Sequence, residues 1–433
     1  MLYALSAVLF LNHDITKIPV DNPLILNLSL ILGFTFLTLI TLKKTVNDKP
    51  LSILQSNQMK GLSIIIIIIH HLSLHTLEKP SDLAIFQNFG FKAVALFLVL
   101  SGFGLTISLQ KKGITNFFNR RLARVYIPFL LVMILEILLS QILLNKNTHI
   151  LTELFNAIFH ANTLDRTMWF IIYILLWYCV IYLLYYLNLT NKSKLFFLFF
   201  VSLGILIASE PSEGSSLLLW KINAFSFPIG CWLGLNYKWT AAKIDQLINQ
   251  NIGIILGVII GCLMLSKFFG NFASTLYKQG IIGNYVFLCI AIIFWVALKN
   301  KQILRQNLIE NISGLSAIVI IGFNYLNLSS YNAIAKNIII NTSAILAAFA
   351  IFLLISLMLR FNLYSLFLNW IGEISFELYL LHGMLMYTFD FILFRGDISI
   401  TFFIYFIFIC LSSILLNKIN SGVYDLVLKN SLD

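Results

Sequence analysis

Charge is what this chain has least of: Asp, Glu, Lys and Arg make up 11% of its 433 residues, against 59% hydrophobic residues. Soluble domains typically carry about 25% charge, so a soluble protein with a polar surface is excluded. No stretch offers the composition of a separate soluble core of about 100 residues. The five cysteines, Cys179, Cys231, Cys262, Cys289 and Cys410, fall singly in apolar segments, with no CxxC and no Cys/His ligand spacing. That pattern excludes a disulfide framework and a zinc site, and no metal is expected. No internal repeat is visible, which argues against transporters built from repeated halves. The short apolar run from Leu2 to Leu11 has no basic stretch before it and is followed by His13 and Asp14. A cleaved signal peptide is therefore not expected. Acidic residues are outnumbered, 18 to 29 basic, giving a net charge of +11. In a soluble protein that excess would suggest nucleic acid; here the placement of Lys and Arg along the chain accounts for it, and no nucleic-acid partner is expected.

What fills the chain is a succession of apolar runs of membrane-spanning length. They cover 24–42, 61–77, 89–109, 125–144, 168–187, 195–208, 217–235, 252–269, 281–298, 312–328, 338–358, 372–394 and 399–417. Asn324 and Asn327 interrupt one of them, and 195–208 is short. The expected fold is all-α, a polytopic membrane bundle of about 11–13 transmembrane helices. If the links alternate sides, the set 43–60, 110–124, 188–194, 236–251, 299–311, 359–371 and 418–433 holds 19 of the 29 Lys and Arg. Positive-inside bias makes that set cytoplasmic, with the N-terminus outside and the C-terminus inside. The outer links 145–167 and 209–216 carry His149, Glu153, His160, Asp165, Glu210 and Glu213, a polar mouth. Three parts are read: an extra segment with one transmembrane helix at 1–57, a membrane domain at 58–417 and a cytoplasmic tail at 418–433.

The helix that begins at Lys60 and reaches His70 and His71 through six isoleucines carries the strongest chemical signal. Lys60 and His71 lie about 16 Å apart along a helix axis and about 20° apart around it, so they share a face. The cation then sits near the water boundary and the imidazole near the midplane of a hydrocarbon core about 30 Å thick. An ionisable group at that depth is costly and reads as functional, although a hydrogen-bonded packing histidine is the plainer alternative. His75 is on nearly the same face, whereas His70 is turned about 100° away. Ser101, Gly102 and Gly104 interrupt a second apolar helix, either for close packing or for close approach of a ligand. Arg120, Arg121 and Arg124 cluster where a helix enters from the cytoplasm, as topological anchors or as forks for phosphate oxygens. A cytosolic polyanion such as coenzyme A fits that position. Ser375, Tyr379 and His382 share one helix face late in the chain, with Glu373 and Glu377 on a second stripe. Glu136 is an isolated acid inside 125–144 whose partner the sequence does not choose.

Together these residues resemble the membrane-bound acyltransferase 3 family, whose bacterial members O-acetylate surface and secreted glycans. The family's arginine or lysine, ten residues, then histidine matches Lys60 and His71. Its FxLSGF segment matches Phe97 to Phe103, its RRxxRxxP stretch matches Arg120, Arg121, Arg124 and Pro128, and its Trp-Phe helix opening matches Trp169-Phe170. Its closing GxxSYxxYLxH pattern matches Gly372 to His382, with Phe376 where tyrosine is usual. Lys60 is the less usual alternative to arginine and lacks a bidentate fork. An extra apolar segment precedes the core, and no soluble esterase-like domain follows it.

The resemblance implies an acyltransferase that moves an acetyl or other short acyl group, such as succinyl, from cytosolic acetyl-CoA or a related acyl-CoA to a hydroxyl of a polysaccharide or lipid-linked glycan. It implies His71 as general base or acyl relay and Lys60 as a cation that orients the donor or stabilises its phosphates, with Glu136 or another neighbouring residue holding the imidazole. Arg120, Arg121, Arg124, Lys60 and Trp169 would bind the donor, and His70, His75, Ser101, Ser375, Tyr379 and His382 would surround the substrate. It further implies a multi-pass protein of a bacterial inner membrane, in contact with membrane lipid; a homodimer is compatible with the sequence and not specified by it. A proton-coupled transporter or flippase of glycan intermediates is the alternative, since buried His and Glu serve that chemistry too. A polysaccharide polymerase would be expected to present a larger outer loop.

Overall fold

The computed structural model describes residues 18–45, 49–77, 83, 86–144, 152–153, 155–156, 165–208, 217–278 and 329–429. Helices dominate because a bilayer offers no water to the backbone, so each spanning segment must satisfy its own N–H and C=O groups. In chain order they are α1 (Pro23–Ile40), α2 (Ile53–His75), α3 (Gly90–Lys112), α4 (Phe117–Arg121) and α5 (Ile127–Leu144), the last two joined by a π-turn over Leu122–Tyr126. Then come α6 (Trp169–Tyr186), α7 (Asn191–Ile207), α8 (Leu217–Lys221), α9 (Ser226–Leu235), α10 (Tyr237–Ile248), α11 (Ile252–Lys278) and α12 (Ser329–Arg360). The chain closes with α13 (Leu366–Glu373), α14 (Ser375–Gly383), a second π-turn (Met384–Thr388) and α15 (Ile398–Lys429).

Eight of these segments are long and apolar enough to cross a membrane. The expectation of a polytopic helical bundle holds, with differences that have local causes. The spans expected at 281–298 and 312–328 lie outside the described residues, as do His149, His160, Glu210 and Glu213. The span expected at 372–394 is broken: α13 ends at Glu373, α14 restarts at Ser375, and the π-turn comes next. The single span expected at 217–235 is found as Leu217–Leu235, with a turn between α8 and α9 in which Asn223 N–H donates to the Trp220 carbonyl. The tail expected at 418–433 continues α15 through Lys429.

A short antiparallel ribbon, unforeseen in the sequence, pairs β1 (Leu42–Lys44) with β2 (Leu363–Ser365), Leu42 facing Ser365. It joins the end of α1 to the start of α13. The buried Gln58 accepts from the Ser365 amide at 2.8 Å, and Gln55 donates to Ser356 at 2.7 Å. These amides explain why the first half of α2 is polar yet buried: it docks on β2 and α12. At the other end of α2, Ile18 N–H donates to the His75 carbonyl at 2.8 Å. Thus α2 is held at both ends, packed against α3 and α13 along its length.

Candidate active site

The two adjacent histidines of α2 part company. His70 turns toward the 86–90 turn, its Nδ1 3.3 Å from the Phe86 carbonyl, and its ring fills the space where Gly90 has no side chain. His71 faces the 375–388 segment instead. Its Nδ1 lies 3.1 Å from the Tyr387 hydroxyl, and that hydroxyl donates to the His71 carbonyl at 2.9 Å. Tyr387 comes from the second π-turn, which inserts a residue into the helical ladder and re-aims the side chains after it. The His75 ring lies 5.1 Å from the Tyr387 ring.

His382 approaches from α14, its ring 5.0 Å from that of His71. It is fully buried, with Nδ1 2.8 Å from the Tyr379 carbonyl and 3.2 Å from that of Leu378. A carbonyl only accepts, so Nδ1 carries the proton and Nε2 a lone pair, which has no partner among the described residues. Tyr405 of α15 donates to the His382 carbonyl at 2.7 Å, and Tyr379 donates to the Thr167 carbonyl. Asp165, expected in an outer mouth, reaches inward: it caps the turn before α6 by accepting from Thr167 N–H at 2.7 Å. A side chain on Gly383 would collide with Asp165 and Thr167, so the glycine admits that loop beside His382. Burial raises the Asp165 carboxyl above the usual range, only partly offset by its hydrogen bonds.

A cleft of about 1410 Å³ opens from the side of the bundle where α2 and α13 meet. Lys60, Lys111, Lys112, Arg121, Arg124 and Lys238 line it and outnumber the acidic Glu373 and Glu377, while Ile67, Phe97, Phe170 and Ile174 are apolar lining residues. Ile67 is one turn of α2 short of His71, about 6 Å of rise. Gly113, at φ 61°, ends α3 directly after Lys111 and Lys112 and opens the turn to α4 and its arginines. Arg121 donates to Ser108 at 3.2 Å and Arg124 stacks over Tyr424 at 5.3 Å, so both forks are partly pre-positioned.

Of the residues expected at a site, Lys60, Ser101, Arg121, Arg124, Ser375 and Tyr379 border the cleft. Arg120, Trp169 and the histidines His70, His71, His75 and His382 are not among its lining residues; Trp169 is buried against Phe170 and Tyr173, and Phe170 faces the cleft in its place. Glu136 is buried in α5, and the hydroxyl on His71 Nδ1 belongs to Tyr387. Glu377 accepts from Asn417 at 3.0 Å and Asn420 at 3.2 Å, tying α14 to α15, and Glu373 accepts from Asn369 within its own helix. Tyr387 and Asp165 are the members that sequence reasoning missed as site residues. A tyrosine in an apolar run carries no polar signal, and an acid in an outer link looks solvated.

A profile described as an acyltransferase domain, that of the acyltransferase 3 family, matches residues 53–319, well over half the chain. The chain belongs to this acyltransferase family. The match takes in α2 with Lys60 and His71, the Ser101 segment and the arginine cluster. Neither a curated protein nor a solved structure gives a significant match. The chain is thus a multi-pass membrane acyltransferase. His382 and Tyr387 lie beyond the matched residues.

Proposed function

We propose that this acyltransferase takes an acetyl or other short acyl group from cytosolic acyl-CoA and passes it to a hydroxyl of a cell-surface or lipid-linked polysaccharide. The observation that carries the reading is the cleft: Lys60, Lys111, Lys112, Arg121, Arg124 and Lys238 line it beside apolar side chains, and one of these, Ile67, is a single turn of α2 from His71. Guanidinium and ammonium groups match the phosphates of coenzyme A, and an apolar passage suits the pantetheine arm and a thioester. Arg121 and Arg124 bind phosphate, with Arg120 adding charge nearby, and Lys60 orients the donor. His71 takes the proton of the acceptor hydroxyl as its oxygen bonds to the acyl carbon. The carbon–sulfur bond breaks, and the proton leaves the imidazolium for the thiolate, giving ester and free thiol. The Lys and Arg distribution supports a cleft that opens to the cytoplasm, and a bacterial inner membrane is the setting that the family resemblance implies.

The test is acyl-CoA binding and transfer by the purified protein in nanodiscs, wild type against His71→Ala and Arg124→Ala. Loss of turnover by roughly 10²–10⁴-fold in His71→Ala with binding retained is expected for a general base. Arg124→Ala should weaken binding by about tenfold, the effect of losing one charge-assisted contact. A drop of less than about tenfold in His71→Ala would remove His71 from this role. A folded wild type that binds no acyl-CoA would overturn the reading in favour of glycan transport.

A further inference from the structure

The Tyr387 hydroxyl touches two atoms of one residue. It lies 2.9 Å from the His71 carbonyl oxygen and 3.1 Å from His71 Nδ1. A phenol has one proton to give, and a carbonyl oxygen has none. At 2.9 Å the two oxygens are in hydrogen-bond contact, so the phenolic proton lies between them; without it, two lone pairs would face each other. The hydroxyl oxygen is then left as an acceptor toward Nδ1, and Nδ1 must carry hydrogen.

We propose that Tyr387 is a positioning residue that fixes His71 as the Nδ1–H tautomer, leaving Nε2 as its basic nitrogen. In water a neutral imidazole favours the other tautomer modestly, so a held hydroxyl is enough to reverse the choice. The bond also fixes the ring plane, because one hydroxyl is anchored on the backbone and the side chain of the same residue. The anchor comes from the π-turn at Met384–Thr388, whose extra residue per turn sets where Tyr387 meets α2. His382 reaches the same tautomer independently, through the Tyr379 and Leu378 carbonyls. Its protonation pattern therefore does not depend on Tyr387. The catalytic consequence rests on His71 being the base of the proposed transfer; the tautomer itself does not.

The experiment is nitrogen-15 solid-state NMR of histidine-labelled protein in lipid, with His71 assigned by comparison with His71→Gln, alongside acyl-transfer kinetics. Wild type is expected to show His71 with protonated Nδ1 and bare Nε2, and Tyr387→Phe to lose that preference while the His382 signals stay in place. In kinetics Tyr387→Phe should lower kcat roughly tenfold to a hundredfold, less than removal of the base itself, with the KM for acyl-CoA changed less than about twofold. A wild-type His71 protonated on Nε2 in an enzyme that transfers acyl groups would overturn the proposal and leave the acyltransferase reading intact. An unchanged His71 tautomer or kcat in Tyr387→Phe would overturn it as well. Should Tyr387→Phe fail to fold, the wild-type spectrum alone decides. An Nδ1–H His71 in a protein that turns over no acyl-CoA would sustain the tautomer and defeat the proposed reaction.

Discussion

Asp390 shows how a single buried group couples this membrane protein to pH. It comes just after the second π-turn, outside the spanning helices, and its Oδ1 accepts from the Ile392 and Leu393 amides at 3.0 and 2.9 Å. Burial outweighs those bonds and the Arg395 charge, pushing the carboxyl from 3.8 up to about 6. Between those two values the folded protein holds a proton that the unfolded chain has released. Stability therefore falls as pH rises from about 4 to about 6 and is level above. Asp390→Asn keeps the Oδ1 acceptor and removes the ionisation. Thermal unfolding in detergent should show its midpoint falling less steeply than the wild type's across that window, because Asp165 still titrates, and lying above the wild type's beyond pH 6. Two pKa units correspond to about 3 kcal/mol, an upper bound on the gain. A variant whose midpoint tracks the wild-type slope would place the titration elsewhere.

At the scale of elements, closely spaced backbones decide where the helices cross. Gly61 of α2 leaves room for the Leu368 carbonyl of α13, and Gly372 of α13 leaves room for the Asn57 carbonyl of α2. A second pair works in the same way between α3 and α9: Gly102 meets the Phe227 carbonyl and Gly230 meets Val99. The Ser101-Gly102-Phe103-Gly104 segment thus divides its labour. Gly102 is needed for packing, while a side chain at Gly104 would meet nothing within 4 Å and would face the cleft. Gly102→Ala should sharply reduce folded protein in size-exclusion chromatography, since overpacking against backbone has no flexible side chain to yield. Gly104→Ala should fold with wild-type yield and gain up to about 1 kcal/mol of helix propensity. Equal yields for the two variants would show that α3 and α9 can separate without loss.

Across the whole molecule, one polar axis runs inside an apolar shell. Cations gather at the cleft mouth, and the imidazoles with Tyr387 and Asp165 gather further along α2 and α14. Large apolar side chains such as Leu24, Phe36, Met264 and Ile404 are exposed on the outside, as a lipid-facing surface requires. The proposed cytoplasmic orientation of this axis rests on the Lys and Arg bias and is testable. A fluorescent reporter fused after residue 433 should light up, and a phosphatase active only outside the cytoplasm should stay silent at the same site. The opposite result would put the cleft mouth on the outer side and exclude cytosolic acyl-CoA as the donor.

Much of this was legible in the chain. Apolar runs of spanning length specified a helical membrane bundle because a bilayer leaves the backbone no other partner. The Lys60 to His71 spacing specified one helix face, since helical periodicity is local and needs no knowledge of neighbours. The arginine cluster was readable for the same reason. Contacts between distant segments were not. Which of His70 and His71 faces the 375–388 segment depends on where the Phe86 turn and α14 dock. Tyr387 meets His71 across 316 positions, through a π-turn that no periodicity announces. The β1–β2 ribbon, the inward reach of Asp165 and the break after Glu373 likewise arise from packing between segments far apart in sequence. The sequence by itself determined the apolar spanning helices and the chemistry they carry, because those are set by local periodicity and solvent. Only the tertiary structure decided which side chains meet, because that depends on how helices fit against one another.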